Sequence, residues 1–159
     1  MKKIEIVGEN YSGHWKKSRT ACRGIVIEEG RILLSCATAD DLWMIPGGGL
    51  ENNETERECC IRELAEETGL LIQPSSCVLE IDEYYGDWKY ISRYFFGSVT
   101  GRTETKLTDE EKRVGMEPRW VPLRQAEDLF SRHASYAGKD EVRRGMYLRE
   151  DTALRELLP

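Results

Sequence analysis

An α/β fold, with a mixed sheet covered by helices, is the class this sequence predicts, on three observations. β-rich runs at 20–37 and 77–99 lie on either side of one strongly helical stretch at 54–68, and residues 139–158 again have helical composition. No internal repeat or linker interrupts that order. At 159 residues the chain is expected to form one domain, residues 1–159, with a sizeable core.

The elements follow in order. Thr20–Glu28 (TACRGIVIE) and Arg31–Ala37 (RILLSCA) are β-rich runs, and Glu29-Gly30 between them reads as a hairpin turn. Asp41–Pro46 (DLWMIP) is a further short strand, ended by its proline. Residues 47–54 (GGGLENNE) read as a loop, because three glycines and two asparagines favour unusual backbone angles. A helix over 54–68 follows from good helix formers, acidic residues in the first turn and Gly69 as a stop. Cys77–Tyr85 and Lys89–Val99 are strands separated by Gly86-Asp87, and Arg119–Leu123 is a shorter one. Arg124–Phe130 reads as a short helix. Residues 139–158 read as a helix that Gly145 threatens to interrupt.

The hydrophobic content of 40% and charged content of 33% describe an ordinary folded chain. A net charge of −6 gives no general footing for a nucleic-acid polymer or an anionic membrane, so an anionic substrate would have to recruit a positive group. No apolar run is long enough for a signal peptide or a membrane span, and a cytoplasmic location is the default expectation. Five cysteines without a CxxC pair, beside two histidines, argue against a zinc site or a disulfide framework; they read as reduced, mostly buried thiols.

The chemistry concentrates in RELAEETGL, Arg62–Leu70. At about 100° per residue, Glu66 and Glu67 fall roughly −60° and +40° from Glu63, so three carboxylates share one face. Ile61, Leu64, Ala65 and Thr68 fall between about 100° and 200° and are expected to form a separate core face. Two readings compete for the acidic face. One is a solvated charged surface whose repulsion costs a few tenths of a kcal/mol per pair. The other is a platform for a hard divalent cation, which takes carboxylate oxygens and keeps positions open for substrate phosphates.

The surrounding residues decide. Gly48, five residues, Glu54, seven residues, then Arg62-Glu63-Leu64-Ala65-Glu66-Glu67-Thr68-Gly69-Leu70 reproduces every fixed position of the Nudix box, and the chain resembles the Nudix hydrolases. The flanks WMIPGGGLE and RWVPLRQAEDLF are similar to the family's in a looser way. The resemblance implies an α/β/α sandwich that hydrolyses a phosphoanhydride in a nucleoside diphosphate-linked compound, using Mg²⁺ or Mn²⁺. The cation would also supply the positive charge that this acidic chain lacks. Carried over by position, Glu63, Glu66 and Glu67 are the expected metal ligands with the Gly47 carbonyl, Arg62 orients a box glutamate, and Glu63, Glu66 and Arg62 form the catalytic set. Glu54 has either a structural role or a metal contact. Family members often add a ligand or base from a later loop; among Asp109, Glu110 and Glu111, Glu111 is the choice. Cys59 and Cys60 stand where the family carries small residues, and read as packing groups.

The expected partner is a small-molecule nucleotide, and a homodimer is allowed for. Arg23 stands in an apolar strand, either holding a substrate phosphate or pointing outward. Trp43, Tyr84, Tyr85, Trp88 and Tyr90 offer faces on which a base could stack; Arg23, Trp43, Tyr85 and Trp88 are the substrate-binding candidates. The proline of many ADP-ribose pyrophosphatases, about fifteen residues after the box, is missing. Tyr85 lies near a tyrosine of dinucleoside polyphosphate hydrolases, and no coenzyme A or NADH motif occurs. The rival reading is a catalytically silent nucleotide sensor, which would be expected to lose box glutamates that this chain keeps.

Overall fold

The computed structural model describes residues 1–159, and its strands form two sheets packed around helices. In chain order the strands are β1 (Lys2–Val7), β2 (Lys17–Ile25), β3 (Ile27–Glu28), β4 (Arg31–Ala37), β5 (Leu42–Met44) and β6 (Gly47–Gly49), then β7 (Leu70–Tyr85), β8 (Trp88–Arg102) and β9 (Met116–Pro122). The helices are α1 (Glu56–Thr68), α2 (Asp109–Arg113), α3 (Leu123–Ser131) and α4 (Glu141–Leu157), with a 3-10 turn at Arg132–Tyr136. A five-stranded mixed sheet has the order β1-β7-β8-β2-β6; in the second sheet β4 pairs with β9 on one edge and with β3 and β5 on the other.

The run 20–28 is not one strand. β2 pairs with β8 in the mixed sheet and β3 pairs with β4 in the other, so the chain changes sheets at Val26. The turn beyond it is as expected: Glu29 and Gly30 both take positive φ, 51° and 74°, the twist that suits a two-residue hairpin. The β7–β8 hairpin likewise turns at Gly86-Asp87, with Tyr85 facing Trp88. Residues 47–49 are a correction: the expected loop is strand β6, with Gly47 and Gly48 paired to Arg23 and Cys22. β7 begins seven residues earlier than the expected range 77–85. Pro74 and the serines after it look like a loop in sequence, yet two register shifts around Cys77 absorb them within the ladder.

β1 was not expected. Its alternation of Ile4 and Ile6 with charged residues is short, and a tertiary contact completes it: Lys3 Nζ reaches Glu80 and the buried Asp82 of β7 at 3.1 and 3.0 Å. α4 runs unbroken through Gly145. A side chain there would lie 3.2 Å from the Tyr85 hydroxyl, so the glycine marks close packing rather than a helix end.

Side chains of the two central strands alternate between two cores. Ile25, Ile32, Leu34, Ile45 and Tyr94 pack with Phe130, Tyr147 and Leu154 beneath α3 and α4. Cys22, Val26, Leu33 and Phe95 pack with Cys59, Cys60 and Leu64 of α1. The sheets thus lie between helical layers, an α/β/α sandwich, with α1 touching both sheets.

Candidate active site

α1 is fixed at both ends by local chemistry. Thr55 accepts from the Glu58 N–H at 3.2 Å while the Glu58 carboxylate accepts from the Thr55 N–H at 2.8 Å, a capping box. Gly69 ends the helix in the left-handed region, φ 74°.

The buried face of α1 differs from the one the spacing predicts. Cys59, Cys60, Leu64, Glu67 and Thr68 are buried, whereas Ile61 and Ala65 are only half-buried. Because α1 contacts both sheets, its inner sector swings onto the acidic face and takes Glu67 with it. The two cysteines fill this sector as small packing groups. Contact with Cys22, then burial, pushes the Cys59 thiol well above its ordinary range, and burial pushes Cys60 up to about 12. No disulfide forms, and only Cys77 is partly exposed.

Arg62 is the hub of the carboxylates. Its Nε and Nη2 donate to Glu54 Oε2 and Oε1 at 3.0 and 2.7 Å, Nη2 also to the Gly49 carbonyl at 3.0 Å, and Nη1 to Glu63 at 2.9 Å and Glu66 at 3.3 Å. The two-pronged contact with Arg62 holds the Glu54 carboxyl down at about 2. Glu54 also caps the Glu51 N–H at 2.8 Å, so the structure gives it a bracing place. Glu66 is the more open carboxylate on the Arg62 fork, its side chain 34% exposed against 16% for Glu63.

Glu67 is different. It is 3% exposed; Oε2 accepts from the Gly47 N–H at 3.4 Å and Oε1 is buried without a partner. Burial raises its pKa to about 7, helped by the Glu111 charge and opposed by the Ser35 hydroxyl, which lies nearby but beyond hydrogen-bond distance, and by Arg23 and Gly47. Burial likewise raises Glu63, opposed by Arg62. In this conformation no three His, Cys, Asp or Glu side chains converge as a ready metal cage, because Arg62 draws Glu63 and Glu66 toward itself.

The residues nevertheless fit a cation. An unpaired buried carboxylate oxygen is costly unless a positive group meets it. Room is also kept beside Glu63, since a Cβ at Gly48 would lie 2.4 Å from its Oε2.

Glu111 lies near enough for its charge to act on both Glu63 and Glu67. It is half-buried, whereas Asp109 and Glu110 are exposed and Glu110 is spent on Arg113. Arg23 also joins the site: it neighbours Gly47 by strand pairing, and it faces inward, donating to Ser92 Oγ at 3.3 Å and the Ile45 carbonyl at 3.4 Å. The outward alternative for Arg23 is therefore set aside.

Trp43, on β5, is half-buried with its indole N–H on Asp41 at 2.9 Å. Tyr85 packs into the notch left by Gly8 and Gly145, and its hydroxyl is pushed up to about 12, mainly by burial. Trp88 stacks on Tyr90 at 5.3 Å with Lys17 over its ring. It pairs with Lys17, six residues along β2 from Arg23, which is about 20 Å of strand. The fold thus brings Arg23 to the glutamates and leaves Trp88 at a distance. Ser35, beside Glu67, and Glu150, which reaches the Ile45 N–H at 2.5 Å, were not expected from the sequence. Glu150 sits in the charged run REDTALRE, which reads as solvated surface.

Comparison with known proteins bears on the family and the fold. The chain is 28% identical over 130 residues to YjhB of Bacillus subtilis (strain 168), named as a candidate ADP-ribose pyrophosphatase, covering 77% of this chain and 62% of that protein. It is 45% identical over 49 residues to the RNA pyrophosphohydrolase of Halorhodospira halophila (strain DSM 244 / SL1), covering 30% and 27%. The chain therefore spans about three fifths and about a quarter of these relatives' lengths. The solution structure of the E. coli ORF135 protein superposes with a TM-score of 0.58 at 19% identity, covering 90% of this chain and 94% of that one, which shows a shared fold. No helix is long and apolar enough to cross a membrane. The NUDIX domain model matches residues 17–146, most of the chain and all of the glutamate site, and the protein belongs to the NUDIX family.

Proposed function

We propose that this chain hydrolyses a phosphoanhydride bond in a nucleoside diphosphate-linked compound, a nucleoside triphosphate or a nucleotide conjugate, with Mg²⁺ or Mn²⁺ as cofactor. The observation that carries this reading is Glu67: a buried carboxylate with one oxygen unpartnered, beside Glu63, Glu66 and Glu111 and under a glycine strand. Names among the relatives, an ADP-ribose pyrophosphatase and an RNA pyrophosphohydrolase, support the bond class and leave the substrate open.

Glu63, Glu66 and Glu67, with the Gly47 carbonyl and Glu111, would hold the cation, which when bound polarises the phosphoryl oxygen and acidifies water. Arg62 orients Glu63 and Glu66 through one guanidinium, itself anchored on Glu54. Gly48 leaves the space Glu63 needs, and Glu66 faces solvent, from which water and substrate arrive. Arg23 pairs with Gly47 of the glycine strand and suits a substrate phosphate. Water attacks phosphorus, the bridging P–O bond breaks, and two phosphate-terminated products leave.

Calorimetric titration of the wild type, Glu66→Gln and Glu67→Gln with Mn²⁺ tests the metal site. Unchanged affinity in both variants would remove it. A panel of nucleoside triphosphates, ADP-ribose, nucleotide sugars and dinucleoside polyphosphates, with products resolved, identifies the bond. Nucleotide binding without turnover across that panel would instead support a silent sensor.

A further inference from the structure

β5 pairs with β4 on one side, and its other edge is met by α4. Three α4 side chains, Arg143, Tyr147 and Glu150, fall within a sector of about 60° and meet the backbone of residues 40–45 in sequence order. Arg143 donates to the Asp40 carbonyl; the Tyr147 hydroxyl donates to the Asp41 carbonyl at 3.5 Å and accepts from the Trp43 N–H at 3.3 Å; Glu150 Oε2 accepts from the Ile45 N–H at 2.5 Å. Glu150 is fully buried, with its other oxygen taken by Tyr94 at 2.7 Å and Arg149 at 3.0 Å. Just beyond Ile45, the Pro46 carbonyl accepts from Gly24 at 3.0 Å and the Gly47 N–H turns to Glu67.

We propose that Glu150 is a positioning residue for the candidate metal site: by gripping the Ile45 N–H from α4, outside the box, it sets the register of Gly47 against Glu67. The inference rests on the reading of Gly47 and the box glutamates as that site. Ile45 is held on both sides, its N–H by Glu150 and its carbonyl by Arg23 at 3.4 Å. An apolar residue would fill position 150 without burying a charge, and the carboxylate supplies what an apolar residue lacks, an acceptor for the buried Ile45 N–H that no strand pairs.

Two variants separate reach from charge. Glu150→Asp keeps the charge and shortens the side chain; Glu150→Gln keeps the length and an acceptor oxygen. Amide hydrogen exchange of the metal-free protein reads Ile45 and Gly47, with Leu33 of β4 as the internal reference for global opening. Titration with Mn²⁺ alone reads the site. Glu150→Asp is expected to speed exchange at Ile45 and Gly47 about tenfold relative to Leu33 and to weaken Mn²⁺ binding about tenfold, with a smaller effect of Glu150→Gln, whose one acceptor oxygen still takes the Ile45 N–H while its amide group replaces the oxygen shared by Tyr94 and Arg149.

Unchanged Ile45 exchange in Glu150→Asp, or fast exchange with unaltered Mn²⁺ affinity, overturns the proposal, as does a larger effect of Glu150→Gln than of Glu150→Asp. A wild type with slow Ile45 exchange and no Mn²⁺ binding removes the metal reading, and the proposal with it. A wild type and Glu150→Asp that bind Mn²⁺ equally remove only the brace.

Discussion

Arg62 and Glu54 meet face to face, with Nε on Oε2 at 3.0 Å and Nη2 on Oε1 at 2.7 Å, and this two-pronged contact leaves Nη1 for Glu63 and Glu66. Lysine cannot reproduce that fork. Arg62→Lys is therefore expected to lower Mn²⁺ affinity by roughly tenfold or more. Lysine keeps the positive charge beside Glu54, Glu63 and Glu66 and loses part of the hydrogen bonding, so the cost in unfolding free energy is expected to be about 1–2 kcal/mol. Calorimetry and denaturant titration of one preparation read both quantities. A large stability loss with intact Mn²⁺ binding would place Arg62 in the scaffold instead.

The two neighbouring glycines should fail in different ways. A Cβ at Gly47 would meet the Cys22 carbonyl at 2.2 Å, in a residue with φ 156°, whereas a Cβ at Gly48 would meet only the carboxylate end of Glu63. Gly47→Ala is expected to cost about 2–4 kcal/mol of stability, because backbone must move. Gly48→Ala should keep its melting temperature within a few degrees and lose Mn²⁺ binding as Glu63 is displaced. Thermal unfolding beside Mn²⁺ titration distinguishes them.

The pH dependence of the metal-free protein should report Glu67. Its folded pKa is raised from 4.5 to about 7, so the folded state holds a proton that the unfolded chain releases. Stability is then greatest below pH 4.5 with respect to this group, and falls as pH rises from 4.5 to about 7, by up to about 3 kcal/mol. In chelator, Glu67→Gln should remove that decline. A variant whose stability still falls over the same window would assign the decline to another group.

Glu111 can be tested against its neighbour. Glu111→Gln keeps a capping box on Thr108, because glutamine serves there as glutamate does, but removes the charge felt by Glu63 and Glu67. It is expected to weaken Mn²⁺ binding about three- to tenfold. Glu110→Gln, which only frees exposed Arg113, should leave it unchanged. Equal effects from both would reduce Glu111 to surface charge.

Thiol accessibility checks the helix face. Cys22, Cys36, Cys59 and Cys60 are buried and Cys77 is half-buried. A thiol reagent should label Cys77 first in the native protein and the other four only on unfolding, as read by mass spectrometry. Early labelling of Cys59 would mean that α1 separates from the sheets.

Much of the site could be read directly along the chain. The helix that stops at Gly69 and the grouping of Glu63, Glu66 and Glu67 follow from composition and spacing, since neighbours three and four apart on a helix must meet, whereas the bracing role of Arg62 came from the resemblance to the Nudix box. The hairpin turns at Glu29-Gly30 and Gly86-Asp87 were equally local. The extent of β7 was not, because Pro74 stops a strand by propensity and is tolerated only where register shifts accommodate it.

The sequence by itself determined the box, its acidic face and the family. Only the tertiary structure decided that Glu67 lies on the buried face of α1 rather than on its solvent side, because that depends on α1 being flanked by both sheets. It also decided that a three-glycine stretch is a strand and that Glu150, 83 residues after Glu67 in the chain, reaches the backbone of Ile45. Helical and turn contacts are fixed by neighbours in sequence, but the desolvation that raises Glu67 and the grip of α4 on Ile45 come from segments that meet only when the chain has folded.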